Sequence, residues 1–224
     1  MNPIFKDSTV FLDSEYNINA KQLLEWKKKG CKKIVSLTSG LDHVDLETAK
    51  RLGITIENRI GLNAASTAEW ATWQLLNWAR KNREYGIELA NKNITIIGFG
   101  SIGQKIASIL NGMHCKLFVY DKEPKLCSWV RYSTNLYVLE LWLPQSDIVF
   151  LCLPLTKQTK GFFGRKLLNA CKKNVVLINI GRDELVKEEF LTYRQTYIRD
   201  SKHVAWKTRE VLERKRKEIE GGNE

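Results

Sequence analysis

Three glycines between two short apolar runs constrain the fold of this chain more than any other feature. The first run is followed by Gly98, Gly100 and Gly103 in the order G-x-G-x-x-G. Apolar residues then recur at helical spacing, and a second apolar run ends at Asp121. This order of strand, tight turn, helix, strand and acid predicts a βαβ unit that binds a dinucleotide. The alternative is a glycine turn in another kind of α/β protein.

Each glycine has a separate physical role in such a unit. Gly98 allows a turn that is too tight for a side chain, and Gly100 lets the backbone approach a pyrophosphate. Gly103 lets the helix lie close to the strand. The free N–H groups and the positive end of the helix dipole would then face the phosphates.

Asp121 predicts which dinucleotide binds. It follows Gly103 by 121 − 103 = 18 residues, where a carboxylate accepts hydrogen bonds from the hydroxyls of the adenosine ribose. A 2′-phosphate would be repelled there, so NAD is favoured over NADP. Lys122 and Lys125 weaken this preference slightly.

Composition indicates a globular chain without a membrane span or a metal site. The 224 residues, 43% of them hydrophobic, suffice for one large or two small domains. No apolar run approaches the roughly 20 residues of a membrane span, and the N-terminus does not resemble a signal peptide. Five cysteines without C-x-x-C spacing favour free thiols in a reducing cytoplasm. The three histidines have no metal-ligand spacing.

The net charge of +11 raises the possibility of nucleic-acid binding. However, the lysines are spread along the chain, and the local clusters at 27–33 and 214–217 are typical of polar helix faces or tails. No basic motif is interleaved with aromatic residues. A solvated basic surface that attracts anionic cofactors and acids is therefore the preferred interpretation.

Strands and helices alternate along the chain, which predicts an α/β fold. Ser66-Thr67-Ala68-Glu69 has the form of a capping box and predicts the start of a helix that runs to about 80–83. Its tryptophans indicate a buried interdomain or dimer helix. The polar segment 82–93 is the predicted domain boundary, and Leu185–Tyr193 is predicted to be helical.

Four further motifs occur in a fixed order around the glycine loop. They are SGLDHVDLETAKRLGI (39–54), NAASTAEW (63–70), SDIVFLCLPLTKQTKGFF (146–163) and NVVLINIGRDELV (174–186). Together with GFGSIG, they resemble the D-isomer-specific 2-hydroxyacid dehydrogenases, the family of phosphoglycerate dehydrogenase and of glycerate and glyoxylate/hydroxypyruvate reductases. The resemblance runs from about residue 33 to residue 191.

The resemblance implies a Rossmann-type doubly wound parallel sheet plus a smaller flavodoxin-like α/β substrate domain. Residues 1–83, joined by the C-terminal segment 204–224, would form the substrate domain, and 84–203 the NAD-binding domain. The family also implies homodimers and a small D-2-hydroxy acid or 2-keto acid as substrate.

Site residues follow from the resemblance position by position. Ser39 and Gly40 match the loop that presents N–H groups to the substrate carboxylate, and Arg182 matches the substrate-binding arginine. The positions that match cofactor-binding residues of the family are Gly98, Gly100, Ser101, Ile102, Gly103, Asp121, Leu153, Pro154, Thr159, Ile180, Gly181 and Arg182.

His203 is the candidate proton donor, because 201–208 resembles the family's histidine segment with Lys202 in place of a proline. Two departures accompany this match. His203 lies only 203 − 182 = 21 residues after Arg182, and the segment that normally carries the catalytic glutamate has no counterpart. Asp183 replaces the glycine that normally follows the arginine.

Three functions are compatible with the sequence. The first is NAD-dependent interconversion of a small D-2-hydroxy acid and its 2-keto acid, with Arg182 and His203 as catalytic residues. The second is an NAD(H)-binding member of the same family that has lost activity and acts as a binding or regulatory protein. A nucleic-acid binder with this fold is the third, and no motif supports it.

Overall fold

In the computed structural model, residues 2–81, 84–192, 195–200 and 203–221 are described. The chain forms two compact units, Met1–Asn63 with Lys207–Glu224, and Ala64–Trp206. The two units are described separately below.

The first unit has a small sheet with three helices. Its elements are β1 (Ile4–Lys6), β2 (Thr9–Leu12), α1 (Ala20–Lys28), β3 (Lys33–Ser36), α2 (Leu46–Arg51), β4 (Thr55–Asn58) and α7 (Arg209–Glu220). Strands β2, β3 and β4 are parallel, as the β/α alternation predicts. β1 pairs antiparallel with β2 at the sheet edge. Its side chains are exposed, so no hydrophobic pattern in the sequence predicted this strand.

Local capping explains where the helices of this unit begin. The side chain of Asn19 accepts a hydrogen bond from the backbone of Gln22, and Gln22 returns one to the backbone of Asn19, a complete capping box before α1. The Asp45 side chain caps α2 by accepting from the backbone of Thr48, and the Thr208 side chain caps α7 by accepting from the backbone of Val211. Gly221, in the left-handed conformation with φ = 84°, ends α7.

The second unit contains the larger sheet. Its elements are α3 (Ala64–Arg80), β5 (Asn93–Ile97), α4 (Ser101–Gly112), β6 (Lys116–Tyr120), β7 (Arg131–Ser133), α5 (Leu136–Trp142), β8 (Ile148–Leu151), α6 (Arg165–Ala170), β9 (Val176–Asn179) and β10 (Thr196–Arg199). Strands β5, β8 and β9 are apolar and almost wholly buried, as expected for a sheet covered on both faces.

The six strands lie in the order β10-β9-β8-β5-β6-β7, and all neighbours are parallel. After β5 the chain first builds toward β7 and then continues on the other side of β5 with β8. The direction therefore reverses between β5 and β8, which is where open α/β sheets bind ligands, at the carboxyl ends of the strands. The predicted α/β class with a Rossmann-type doubly wound sheet is confirmed.

Helix α3 differs from its prediction in start, burial and unit. It begins at Ala64, so Ser66 lies inside the first turn and does not cap it; the Ser66 hydroxyl instead donates to the carbonyl of Ala205 at 2.6 Å. A row of alanines and Leu75 packs it into the core with β5 and α4. The second unit starts at residue 64, whereas the predicted domain boundary followed residue 83. Trp73 is 56% exposed, so the helix is not buried all round.

The predicted helix Leu185–Tyr193 is wrong over its described part. Two single 3₁₀ turns, Asp183–Leu185 and Glu188–Phe190, stand in its place. Tyr193 lies outside the described residues. Leu185 and Val186 are buried, and Val186 packs in the core cluster that contains residues of β8 and β9, so the apolar spacing reflects contacts of a loop and not a helical face.

Candidate functional site

The glycine loop connects β5 to α4 and has the geometry that its sequence predicts. Gly98 has φ = 96°, and a Cβ placed on it would lie 2.7 Å from the carbonyl oxygen of Cys152 after β8. A Cβ on Gly103 would lie 2.1 Å from the carbonyl oxygen of Gly98. Both positions therefore exclude any side chain: the first brings the ends of β5 and β8 together, and the second brings α4 onto the loop.

The amino end of α4 meets the requirements of a pyrophosphate site. Gly100 is the N-cap residue, and among the described side chains none caps the first turn, which contains Ser101 and Ile102. A Cβ on Gly100 would meet nothing within 4 Å, so the approach to these amides is open. Uncapped N–H groups at the positive end of a 12-residue helix favour an anion.

Asp121 follows β6 and is tied to the glycine loop. Its Oδ2 accepts a 2.6 Å hydrogen bond from the amide of Phe99, and its Oδ1 accepts one of 3.0 Å from the amide of Glu123. Burial alone would raise the pKa of Asp121, but these hydrogen bonds and the charge of Lys125 outweigh it and lower the pKa below its ordinary value. The carboxylate is therefore an ionised acceptor at neutral pH.

The strand end after β8 carries three predicted residues in one closed turn. Leu153 and Pro154 follow the strand, and the hydroxyl of Thr159 donates to the carbonyl of Pro154 at 2.6 Å. The amide of Thr156 donates to the Thr159 hydroxyl at 2.8 Å. Thr159 therefore shapes this loop through its hydroxyl.

The strand end after β9 lies beside that turn. A Cβ on Gly181 would be 2.6 Å from the carbonyl oxygen of Leu153, so only glycine permits this approach. Asn179, which is 2% exposed, accepts a 3.0 Å hydrogen bond from the amide of Gly181 and donates one of 2.8 Å to the carbonyl of Arg182. Buried Ile180 anchors the segment in the core. The hydrogen bonds of Asn179 and the core contacts of Ile180 therefore fix the backbone that carries Arg182.

Asp183, which replaces the expected glycine, has a partner on the neighbouring strand. Arg199 in β10 approaches Oδ2 of Asp183 at 3.3 Å and also pairs with Glu188. The hydroxyl of Tyr197, also in β10, accepts a 3.0 Å hydrogen bond from Asn179. The edge strand thus supports the arginine loop from the side.

His203 follows β10, separated from it by Asp200 and the two residues 201–202, which lie outside the described part. Its amide donates to the carbonyl of Asp200 at 3.0 Å, and its φ is 50°. Both carboxylate oxygens of Asp200 accept backbone hydrogen bonds of 2.8 Å, from Val204 and Ala205. Asp200 therefore holds the turn around His203 through the main chain.

Ser39 and Gly40 belong to the first unit and follow β3. The Ser39 carbonyl accepts a 2.6 Å hydrogen bond from the side chain of Asn58, and the Gly40 carbonyl accepts one of 3.2 Å from Thr38. In a trans peptide the carbonyl and the following N–H point in opposite directions. The amides of Gly40 and Leu41 therefore point away from these two partners, as a pair of donors.

The larger sheet thus brings most of the predicted positions to one edge. The carboxyl ends of its parallel strands are followed by the glycine loop, Asp121, Leu153, Gly181 and Arg182. His203 follows the parallel edge strand, whose register pairs Arg199 with Asn179. Ser39 and Gly40 are on the other sheet, so they are not part of this edge.

Asn179 was not assigned a role from the sequence, and Lys125 was named there only as a charge that weakens the preference for NAD. Asn179 reads as the last residue of an apolar strand, and its polarity at a buried position was the available signal. Lys125 donates a 2.7 Å hydrogen bond to the carbonyl of Phe99 and lies 3.4 Å from Oδ2 of Asp121. Its spacing of four residues from Asp121 indicates proximity, but no helix connects the two.

None of the helices in ranges 2–81, 84–192 and 203–221 is both long and apolar enough to span a membrane. Within the same part of the chain, no three His, Cys, Asp or Glu side chains gather where they could hold a metal ion.

Residues 59–196 match the family model described as D-isomer specific 2-hydroxyacid dehydrogenase, NAD binding domain. This chain belongs to that family. The match covers the glycine loop, Asp121 and Arg182, and it confirms NAD as the cofactor of the domain.

Two curated relatives are reductases of small keto acids by name. Glyoxylate reductase of Thermococcus gammatolerans is 31% identical over 181 residues, which are 70% of this chain and 54% of that protein. Hydroxypyruvate reductase of Thermotoga maritima is 31% identical over 179 residues, 73% of this chain and 57% of that protein. The chain spans about half the length of the curated relatives that it matches.

Solved structures share the fold. The NAD⁺-bound 3-phosphoglycerate dehydrogenase of Entamoeba histolytica has a TM-score of 0.82 at 23% identity, over 96% of this chain and 80% of that one. D-lactate dehydrogenase of Aquifex aeolicus, complexed with NAD and lactic acid, also has a TM-score of 0.82, at 20% identity over 95% and 80% of the two chains.

Proposed function

We propose that this protein is an NAD-dependent oxidoreductase that interconverts a small D-2-hydroxy acid and its 2-keto acid. One observation carries the proposal. The loops that hold Arg182 and His203 leave the larger sheet at the same edge as the glycine loop and Asp121, from adjacent parallel strands. A cation with a planar fork of donors and a titratable imidazole are thereby available beside a nucleotide crevice.

The proposed chemistry assigns a separate task to each residue. NADH supplies the hydride that moves to the α-carbon of the keto acid. Arg182 binds the carboxylate and polarises the keto oxygen with its guanidinium fork. His203 delivers a proton to that oxygen, since the pKa of an imidazole lies near the working pH. Asn179 keeps the Arg182 backbone in place, so that the guanidinium starts from a fixed anchor.

Ser39 and Gly40 are proposed to bind the substrate carboxylate in the first unit. Asn58 and Thr38 hold the two carbonyls of this loop, and the amides of Gly40 and Leu41 face the opposite way. Backbone N–H donors suit a carboxylate oxygen. The loop would supply neutral donors, and Arg182 the charge.

The test follows NADH absorbance with glyoxylate, hydroxypyruvate and 3-phosphohydroxypyruvate as substrates. Arg182→Ala is expected to abolish turnover, and Arg182→Lys to recover only a small part because the ammonium lacks the planar fork. His203→Asn is expected to lower kcat while leaving the Kd for NADH nearly unchanged. Arg165→Ala, on an arginine that lies over the ring of Phe190, is the matched control.

Two results would contradict this function. The first is wild-type turnover no higher than that of Arg182→Ala with every substrate. The second is a rate that does not respond to His203→Asn. If the wild-type chain binds NADH but shows no turnover, and if His203→Asn changes nothing, the alternative is favoured, an inactive NAD(H)-binding member of the family.

We also propose that the protein is a cytoplasmic homodimer. Trp73 and Leu76 in α3 are 56% and 37% exposed, so α3 presents two large apolar side chains that a second copy could cover. All five cysteines are free thiols, as in a reducing compartment. Cell fractionation with a reporter-tagged chain tests the compartment; recovery in a membrane or secreted fraction would contradict it.

A further inference from the structure

The side chain of Lys125 lies between the glycine loop and the proposed ribose acid. Its Nζ donates to the Phe99 carbonyl at 2.7 Å and lies 3.4 Å from Oδ2 of Asp121. A carbonyl and a carboxylate side by side are the acceptors that two ribose hydroxyls require. The ammonium of Lys125 therefore competes with the ribose for the same two groups.

Asp121 has little capacity left for further donors. A carboxylate offers about four lone-pair positions. The amides of Phe99 and Glu123 occupy one each, and Lys125 occupies a third. Full use of Asp121 by a ribose diol thus requires the ammonium to move aside.

A cavity beside Asp121 offers the displaced ammonium a place. Its volume is about 570 Å³, and its lining residues are Pro124, Lys125, Leu126, Tyr132, Ser133 and Thr134. Three of these residues bear hydroxyls, namely Tyr132, Ser133 and Thr134, and the Tyr132 hydroxyl donates to the carbonyl of Glu123. Lys125 therefore has room to turn from the carboxylate into a pocket with hydroxyl donors, where an anion next to the ribose would find a cation and neutral partners.

We propose that Lys125 makes this ribose site accept a 2′-phosphate, so that the chain binds NADPH as well as NADH. When a plain ribose displaces the ammonium, Lys125 loses two acceptors and gains only water. When the ribose carries a 2′-phosphate, the ammonium loses the same two acceptors but forms a charge-assisted hydrogen bond with the phosphate. This gain offsets the repulsion between the phosphate and Asp121, which still accepts hydrogen bonds from the amides of Phe99 and Glu123. The inference rests on the proposed role of Asp121.

The other charged groups of this loop do not perform the same task. Lys122 is exposed, and its Nζ is 3.9 Å from Oε1 of Glu123. Neither side chain contacts Asp121 through an ion pair in the described structure, whereas Lys125 does. Lys122 is therefore a matched control: a lysine on the same loop, three residues away, without the contact that the inference requires.

The experiment measures the Kd of the full chain for NADH and for NADPH by nicotinamide fluorescence and calorimetry. The wild-type chain is expected to bind the two within about tenfold of each other, a difference of about 1.4 kcal/mol. Lys125→Met, which keeps most of the apolar stem, should raise the ratio of Kd(NADPH) to Kd(NADH) at least about tenfold. Lys122→Met should leave this ratio within about threefold of the wild type, because exposed charges contribute little.

The outcomes separate the inference from the function. If Lys125→Met binds NADH but keeps the wild-type ratio, the inference is overturned and the proposed function is untouched. If the wild-type chain binds NADH but not NADPH, the inference also fails. If neither nucleotide binds to the wild-type chain, the nucleotide site itself is wrong. Retained affinity for NADH shows that the variant is folded. A ratio of Kd(NADPH) to Kd(NADH) in Lys125→Arg that stays near the wild-type value would support a role of the charge.

Discussion

The side chain of Asn179 donates a 2.8 Å hydrogen bond to the carbonyl oxygen of Arg182, three residues further along the chain. The same amide group accepts the backbone N–H of Gly181 and reaches the hydroxyl of Tyr197. The Asn179 side-chain amide is buried and has three hydrogen-bond partners. Because an unpaired polar group away from water is costly, these hydrogen bonds hold the Gly181–Arg182 backbone in a fixed position. The proposed substrate arginine therefore depends on a residue that does not touch the substrate.

Asn179→Ala should lower kcat/KM for the keto acid by about 10- to 100-fold, the scale expected for a small misplacement of a positioning group. The loss of buried hydrogen bonds should also reduce the free energy of unfolding by about 1–3 kcal/mol. Because the glycine loop is on another strand, the Kd for NADH should change little. Steady-state kinetics and urea unfolding measure these quantities.

Tyr197→Phe is the milder companion variant, since it removes one of the three partners and keeps the ring. Its effect on kcat/KM should be clearly smaller than that of Asn179→Ala. If the two variants lower kcat/KM equally, Asn179 does not act through its hydrogen bonds to Gly181 and Arg182.

Gly103→Ala should disrupt nucleotide binding. The added Cβ would lie 2.1 Å from the Gly98 carbonyl oxygen, so α4 must shift away from the loop whose amides are proposed to bind the pyrophosphate. We expect the Kd for NADH to rise at least about tenfold and the thermal midpoint to fall. Gly112→Ala, at the other end of the same helix, meets nothing within 4 Å and should be neutral or stabilising by about 0.5–1 kcal/mol. Wild-type affinity in Gly103→Ala would contradict the proposed use of the loop.

Local pattern was sufficient to predict the nucleotide-binding βαβ unit, because glycines, apolar spacing and the terminal acid all act within 30 residues of one another. Contacts between distant segments were not predictable. Asp183 breaks the family pattern, and only the pairing of β10 with β9 shows that Arg199 is its partner. Ser66 satisfied a local capping rule, but α3 begins at Ala64, three residues before the start expected after an N-cap at Ser66, and the Ser66 hydroxyl donates to the carbonyl of Ala205 instead. The contacts of Lys125 were not predictable from local spacing because its two acceptors, Phe99 and Asp121, follow different strands.

Substitution of Trp73 tests the proposed dimer. Trp73→Ser should shift the wild-type dimer toward monomer in light scattering at micromolar concentration, because a 56% exposed indole is then lost from the interface. Tyr137→Ser, on the 65% exposed Tyr137 of α5, is the control and should leave the mass unchanged. A monomeric wild-type chain under these conditions would refute the homodimer.

Acid should reveal the environment of Asp121. Its folded-state pKa lies below the ordinary value of 3.8, since hydrogen bonds from Glu123 and Phe99 and the charge of Lys125 outweigh the opposing effect of burial. The unfolded chain then binds more protons near that pH, so this stabilisation is complete above about pH 5 and is lost as the pH falls through the folded pKa. The difference in unfolding free energy between the wild type and Asp121→Asn should therefore shrink between pH 5 and pH 3. A difference that is constant over this range would contradict the lowered pKa.

The ion pair between Lys215 and Asp13 tests how the C-terminal helix is held in the first unit. Both side chains are fully buried, and Lys215 in α7 donates to the carboxylate that follows β2. Burial lowers the pKa of Lys215, although Asp13 opposes the shift. Because removal of one partner leaves the other charge buried alone, Lys215→Met should reduce the free energy of unfolding by about 3–5 kcal/mol.

Replacement of both partners should be far less harmful than the sum of the single changes, since no lone charge is then left in the core. The double variant Asp13→Asn with Lys215→Met measures this coupling in urea unfolding. Lys217→Met on the exposed side of α7 should remain within about 0.5 kcal/mol of the wild type and controls for loss of a helix lysine. A Lys215→Met variant as stable as Lys217→Met would mean that the pair does not fasten α7, and that apolar contacts such as those of Val211 hold the helix instead.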